Sequence, residues 1–199
     1  RAGNSVLVKK AYFRNLMIAA MHGYYHVPNF YHLKGYQDVQ REDALTLVQA
    51  CNGIGYNYCM VGACDYAQAG FVRALQLECQ LGGHAAGRTA ATYYYMGLNA
   101  LTIKQFDRAL EYMGRSLRIM RKLGLYGHRF CDLSQFYSIM SLCSAYGRDF
   151  ANARVYLLRA EQFLKGLYVD EMPEGMMPER RSVVHGDLFL YKYAEGLCA

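Results

Sequence analysis

A step of 42 residues carries small residues onto small ones, and apolar residues onto apolar ones, across the middle of this 199-residue chain. Gly55 maps to Gly97, Ala67 to Ala109, Phe71 to Met113, Ala74 to Ser116, Leu75 to Leu117, Leu81 to Leu123 and Gly82 to Gly124. Downstream the step becomes 44, and Tyr93 maps to Tyr137, Met96 to Met140, Phe106 to Phe150, Ala109 to Ala153, Met113 to Leu157 and Ser116 to Ala160. A fixed offset of this length marks an internal repeat whose members bury their apolar faces only against one another. Three units are visible, at about 48–82, 90–124 and 134–166.

The middle unit defines the shape of all three. In the segment from Thr92 to Gly124, the residues Tyr93, Met96, Gly97 and Ala100 fall at i, i+3, i+4 and i+7, one face of a helix. Phe106, Ala109, Leu110, Met113, Ser116 and Leu117 form the matching face of a second helix. The short TIKQFD link permits only an antiparallel hairpin. Gly97 and Ala109, small on both sides, suit a close helix crossing. Arg121 and Lys122 place positive charge in the last turn, and Gly124 can take the left-handed conformation that ends the helix. The pattern predicts an all-α chain with helices at about 42–60, 65–81, 84–103, 106–123, 129–146 and 150–166, the last closing at Gly166. Gly55, Gly97, Ala67, Ala109 and Ala153 are expected at the crossings.

The flanks follow the pattern weakly, as partial units at about 5–40 and 182–199 within a single elongated domain. A helix from Val6 to about Tyr25 is stopped by Val27-Pro28. After Gly166 the long segment LYVDEMPEGMMPERR reads as a loop, and Ser182 caps a last helix with no partner following. Further repeats, a second domain or a homodimer partner would have to cover its apolar face. The first residues include neither an initiator Met nor a signal-peptide core, which reads as a piece of something longer.

Composition narrows the function. With 53% apolar residues the chain can bury a full core, yet no run of about 18 apolar residues occurs, so no membrane span is expected. Seven cysteines, an odd number without a C-x-x-C pair, mostly take apolar helix positions and point to a reduced, cytoplasmic compartment. His22, His26 and His32, and the pair Cys59 and Cys64, lack the further ligands that a metal site needs, so no metal and no cofactor is expected. Neither a G-x-S-x-G elbow, an H-E-x-x-H helix nor a phosphate-binding glycine loop is present, and the acidic residues fall mostly on outer faces. Nothing supports an enzyme.

The net charge of +6 is concentrated. Seven basic residues between Lys104 and Arg129 face only Asp107 and Glu111, and Arg108, Arg115, Arg118 and Lys122 form one stripe opposite the apolar face. Such a stripe is either a solvated outer surface or a contact for phosphate or nucleic acid. No aromatic residues interleave with it as in a single-strand platform, which makes nucleic acid the second choice.

Gly at the eighth position of each unit, Ala at the twentieth and Ala or Ser at the twenty-seventh resemble the tetratricopeptide repeat over residues 48 to 166. The period is longer than the family's, Cys51, Tyr93 and Tyr137 stand where it has Trp, and no Pro closes the units. The long form is similar to arrays of bacterial signalling and transcription regulators that adjoin DNA-binding or cyclase domains. The resemblance implies a right-handed superhelix of antiparallel helix pairs that binds a protein, a peptide or another domain of the same chain in a concave groove. The family's inner positions fall here on Asn52 and Tyr56, then Tyr94 and Leu98, then Gln135, Ser138 and Tyr146. That surface is neutral, aromatic and aliphatic, which argues against the acidic C-terminal tails gripped by some members. Tyr56, Tyr94 and Tyr146 are expected to present accessible rings on it.

Overall fold

Three short connections between successive helices use one backbone solution. The computed structural model describes residues 44–82, 86–124, 133–167 and 192–198. Among them the helices are α1 (Ala44–Met60), α2 (Cys64–Leu81), α3 (Ala86–Thr102), α4 (Phe106–Lys122), α5 (Leu133–Tyr146) and α6 (Phe150–Leu167). A short α7 spans 192–198, and no strand occurs among the described residues. The expected helix at 6–25, the loop after Gly166 and the start of the last helix lie outside them. The helix ends agree with the expected ones within about two residues, the usual fraying margin, α6 reaching Leu167 against an expected end at Gly166; the exception is α5, which begins at Leu133, while its expected start at 129 lies outside the described residues.

In each connection the last residue before the second helix's N-cap turns left-handed: Gly62 at φ 79°, Lys104 at 59° and Arg148 at 63°. These three are related by the steps of 42 and 44. Their amides donate to Cys59, Leu101 and Ala145 respectively, at 3.0, 2.9 and 3.0 Å, so each turn satisfies the orphan carbonyls at the end of the first helix. The next helix then starts with Ala67, Ala109 and Ala153 donating to Ala63, Gln105 and Asp149. Glycine adopts this φ freely, whereas Lys104 and Arg148 hold it against the side-chain clash that disfavours it.

The chain divides into two compact units, residues 1–104 and 105–199. In the first, α1 and α2 form a hairpin and α3 packs on both. The crossing of α1 and α2 is made by glycine. A Cβ on Gly55 would stand 2.5 Å from the Phe71 ring, and one on Gly70 would stand 3.1 Å from the Cys51 carbonyl and 3.3 Å from the Gly55 backbone. Ala67, Phe71 and Ala74 are fully buried along the same face of α2. Leu47, Val48, Cys51, Ala74 and Leu77 close the far end of the hairpin, with Leu81 against them.

In the second unit α5 packs on α4 and pairs with α6. The buried side of α4 is Ala109, Met113, Ser116, Leu117 and Met120. At the position where the other units carry glycine, Ser141 Oγ donates to the Ala153 carbonyl at 2.8 Å and ties α5 to α6. The C-terminal α7 is not left open on this side: Ala194 is fully buried, and Cys198 packs with Ala145, Ala153 and Leu157. No helix among the described residues is long and apolar enough to cross a membrane.

These close contacts set opposite expectations for two substitutions in the first unit. Gly55→Ala forces the buried Phe71 ring to move and should lower stability by about 1–3 kcal/mol. Lys104→Gly relieves the left-handed strain and should raise it by up to about 1 kcal/mol. Urea denaturation of each variant checks both signs, and a neutral Gly55→Ala would contradict the packing described.

Candidate functional site

The inner positions of the repeats divide into buried and open ones. In the first unit Asn52 is 7% exposed and Tyr94 only 5%. In the second unit Ser138 is 0% exposed. The expectation that Tyr94 presents an accessible ring is therefore corrected: its ring stands 5.7 Å from Tyr95, edge to face, inside an aromatic cluster. Tyr95 also lies 6.0 Å from Phe71 and 5.5 Å from Tyr56. Asn52 is likewise taken up by the fold, its Nδ2 donating to Thr92 Oγ1 at 2.7 Å. Tyr56 and Leu98 in the first unit, and Gln135 in the second, are half-buried.

Tyr146 is the open member, 43% exposed. Its ring stacks on Phe106 at 5.5 Å, and its hydroxyl meets that of Tyr193 at 2.5 Å. Tyr193, 47% exposed, thus joins Tyr146 as a surface pair with two rings and paired hydroxyls. The hydrogen bond shared with Tyr193 holds the Tyr146 hydroxyl above its ordinary titration range. Tyr193 was not singled out by its sequence position, because the repeat does not extend clearly to that helix.

The basic stripe lies on the solvent side of α4. Arg108, Arg115, Arg118 and Lys122 are all exposed, with the buried stripe of the same helix opposite. Arg115 Nη2 is 2.6 Å from Glu111 Oε1, and Arg108 Nη1 donates to Gln105 at 3.0 Å. Exposed pairs of this kind are worth only a few tenths of a kcal/mol, so they leave the charge available. Arg121, beside the stripe, donates instead to the hydroxyl of the buried Tyr137.

A buried polar junction joins the three helices of the first unit. Glu78 of α2 is 3% exposed, and Thr92 of α3 donates to its Oε1 at 2.7 Å while bonding Asn52 of α1. This corrects the expectation of outward-facing acidic residues at one position. The signal was available in the repeat, since the residue 42 positions after Glu78 is Met120. Burial raises the Glu78 carboxyl above its ordinary value, opposed by hydrogen bonds from Thr92 and Thr89 and by the charge of Arg88. The cysteines behave as small hydrophobes: Cys51, Cys59, Cys64, Cys143 and Cys198 are free and buried, and Cys79 is exposed. Desolvation pushes the Cys51 thiol to about 11 and Cys143 to about 12, away from reactive thiolate. Among the described residues no group of three or more His, Cys, Asp or Glu is placed to hold a metal ion. The histidines 22, 26 and 32 lie outside those residues.

No family model matches this sequence, and no curated protein matches it. The fold is similar to solved structures, among them BtubC (BKLC) from P. vanneervenii, with a TM-score of 0.68 at 16% identity. The likeness covers 83% of this chain and 66% of BtubC, and at that identity it concerns the fold alone.

The raised Glu78 carboxyl gives the first unit a pH dependence of definite sign. The protonated form is the better one in the fold, so its stabilising effect is complete below the unfolded value near 4.5 and is lost as pH rises through the folded value. Glu78→Gln keeps an acceptor for Thr92 without charge and should flatten the stability profile above that range, with no loss at pH ~7. Thermal unfolding across pH measures this, and a Gln variant that is less stable than the parent at neutral pH would refute it.

Proposed function

We propose that this chain is a non-catalytic helical-repeat module that binds a protein or peptide segment, its helix pairs stacked in the right-handed superhelix of tetratricopeptide arrays. One observation carries the reading. The turn before the second helix recurs with nearly constant φ at Gly62, Lys104 and Arg148, while the side chains presented beyond the core differ from unit to unit. A constant scaffold with a variable face suits recognition better than chemistry. Aromatic and neutral residues on that face, Tyr56 in one unit and Tyr146 in the other, favour a segment with apolar or aromatic side chains.

The free, buried cysteines fit a reducing, cytoplasmic setting. By the resemblance to long-period arrays, the module would serve a bacterial regulatory protein and receive a segment of another domain of its own chain or of a second copy. A second reading, nucleic-acid binding, is favoured by the exposed Arg108, Arg115, Arg118 and Lys122. A steep loss of oligonucleotide affinity with salt would support that second reading.

For the favoured reading the discriminating residue is Tyr146. Screening a peptide array for ligands and then substituting Tyr146→Ala should weaken the bound peptide by about 1–2 kcal/mol. The same change should leave the unfolding midpoint nearly unaltered, because the ring is exposed. An array without binders, or binders indifferent to Tyr56→Ala and Tyr146→Ala alike, would count against a groove ligand.

A further inference from the structure

We infer that the solvent side of α4 is a docking strip for an acidic amphipathic helix of a partner protein. This assignment rests on the interaction-module reading and gives it a specific surface and partner chemistry. Arg108, Tyr112, Arg115, Ile119 and Lys122 follow one another at spacings of four, three, four and three residues. That alternation keeps five side chains on one narrow stripe, about 21 Å long at the helical rise of 1.5 Å per residue. It is the spacing by which one helix lies along another.

The chemistry of the stripe alternates with its spacing. Arg108, Arg115 and Lys122 are exposed, whereas Tyr112 and Ile119 between them are half-buried and leave apolar surface open, which corrects the expectation that no aromatic residue interleaves with the basic stripe. Arg118 adds a further exposed charge on the flank, and among the described residues no carboxylate pairs with it or with Lys122. A helix carrying Asp or Glu at every seventh position would set carboxylates against the three cations, and apolar residues beside them would cover Tyr112 and Ile119. A nucleic-acid strand fits less well. The Glu111 carboxylate, 2.6 Å from Arg115, weakens that cation toward phosphate and carboxylate alike, so the apolar residues of the stripe decide between the two. A phosphate backbone offers nothing apolar to cover Ile119.

The test uses the full 199-residue chain with three fluorescent probes. The first is a synthetic helical peptide with Glu at every seventh position and Leu at the flanking positions. The second contains the same residues shuffled so that no face collects them, and the third is a single-stranded oligonucleotide of similar charge. Anisotropy titrations should give the ordered peptide at least about tenfold higher affinity than the shuffled one, weakening as salt rises from about 50 to about 300 mM. The variant R108E/R115E/K122E, whose fold is checked by circular dichroism, should lose at least about tenfold in affinity for the ordered peptide.

Absence of binding to the ordered peptide, equal binding of the shuffled peptide, tighter binding of the oligonucleotide, or indifference to the triple reversal would each overturn the proposal. Peptide binding that survives the reversal but is lost in Tyr146→Ala would leave the interaction module standing and remove this strip from it.

Discussion

The close approach of helix backbones at small side chains is the constraint from which the rest of the fold follows. At the crossing of α1 and α2 the atoms that touch are backbone: the place where Gly70 would carry a Cβ is 3.1 Å from the Cys51 carbonyl and 3.3 Å from Gly55. Helices this near exclude a larger residue at either glycine, and the gain is that the Phe71 ring sits directly over Gly55. In the second unit the equivalent position carries Ser141, and the space is used differently. Its hydroxyl reaches the Ala153 carbonyl, replacing a purely steric crossing with a hydrogen bond at the same place. The turns before α2 and α6 go with this geometry, because a hairpin whose arms cross closely needs a sharp left-handed residue to reverse the chain, a conformation that Arg148 holds although it is not glycine.

The helix pairs were legible in the sequence because steric demand leaves a mark at fixed positions. A residue that must be Gly, Ala or Ser in every unit shows in an offset comparison even where the larger apolar residues drift, as Phe71 becomes Met113 and then Leu157. The candidate site was less legible. Position in a repeat says which side of a helix a residue lies on, but not how far neighbouring side chains cover it. Tyr94 illustrates the gap: its equivalents are Asn52 and Ser138, so nothing in the offset marked it as a core residue, yet Tyr95 stands against it and it is buried. Glu78 illustrates the opposite case: a departure from the repeat, carboxylate for methionine, stood in the sequence at a local change in packing but was passed over with the outward-facing acids.

The buried junction of Asn52, Glu78 and Thr92 also bears on how rigid the first unit is. A hydrogen-bonded polar group in the interior contributes little net stability, but it penalises every arrangement in which its partners are lost. The three side chains come from three different helices, so the junction constrains how α3 seats on the α1 and α2 hairpin, which apolar contacts with their adaptable shapes do less strictly. Asn99 adds a similar tie, its Nδ2 donating to the Cys64 carbonyl at 3.0 Å at the start of α2. The unit's interior polar groups therefore specify an arrangement more than they add to its free energy.

In the second unit the distribution of charge separates two roles along a single helix. The buried side of α4 contains only small and apolar residues, and Ser116 there is fully buried among them. The exposed side is basic, and among the described residues Arg115 pairs with Glu111 whereas Arg118 and Lys122 meet no carboxylate. Had stability alone shaped this surface, alternating acids and bases at i and i+4 would have served it better, since like charges on one stripe repel by about as much as opposite ones attract. Arg121 shows what a basic residue does when the fold uses it, leaving the stripe to donate to the buried Tyr137 hydroxyl. Uncompensated positive charge thus lowers stability slightly, and its positions coincide with the half-buried Tyr112 and Ile119 on the same narrow face. A surface that combines basic charge with partly open apolar area gains most when something acidic and apolar covers it, which is the physical ground for the docking strip proposed on the outer side of α4.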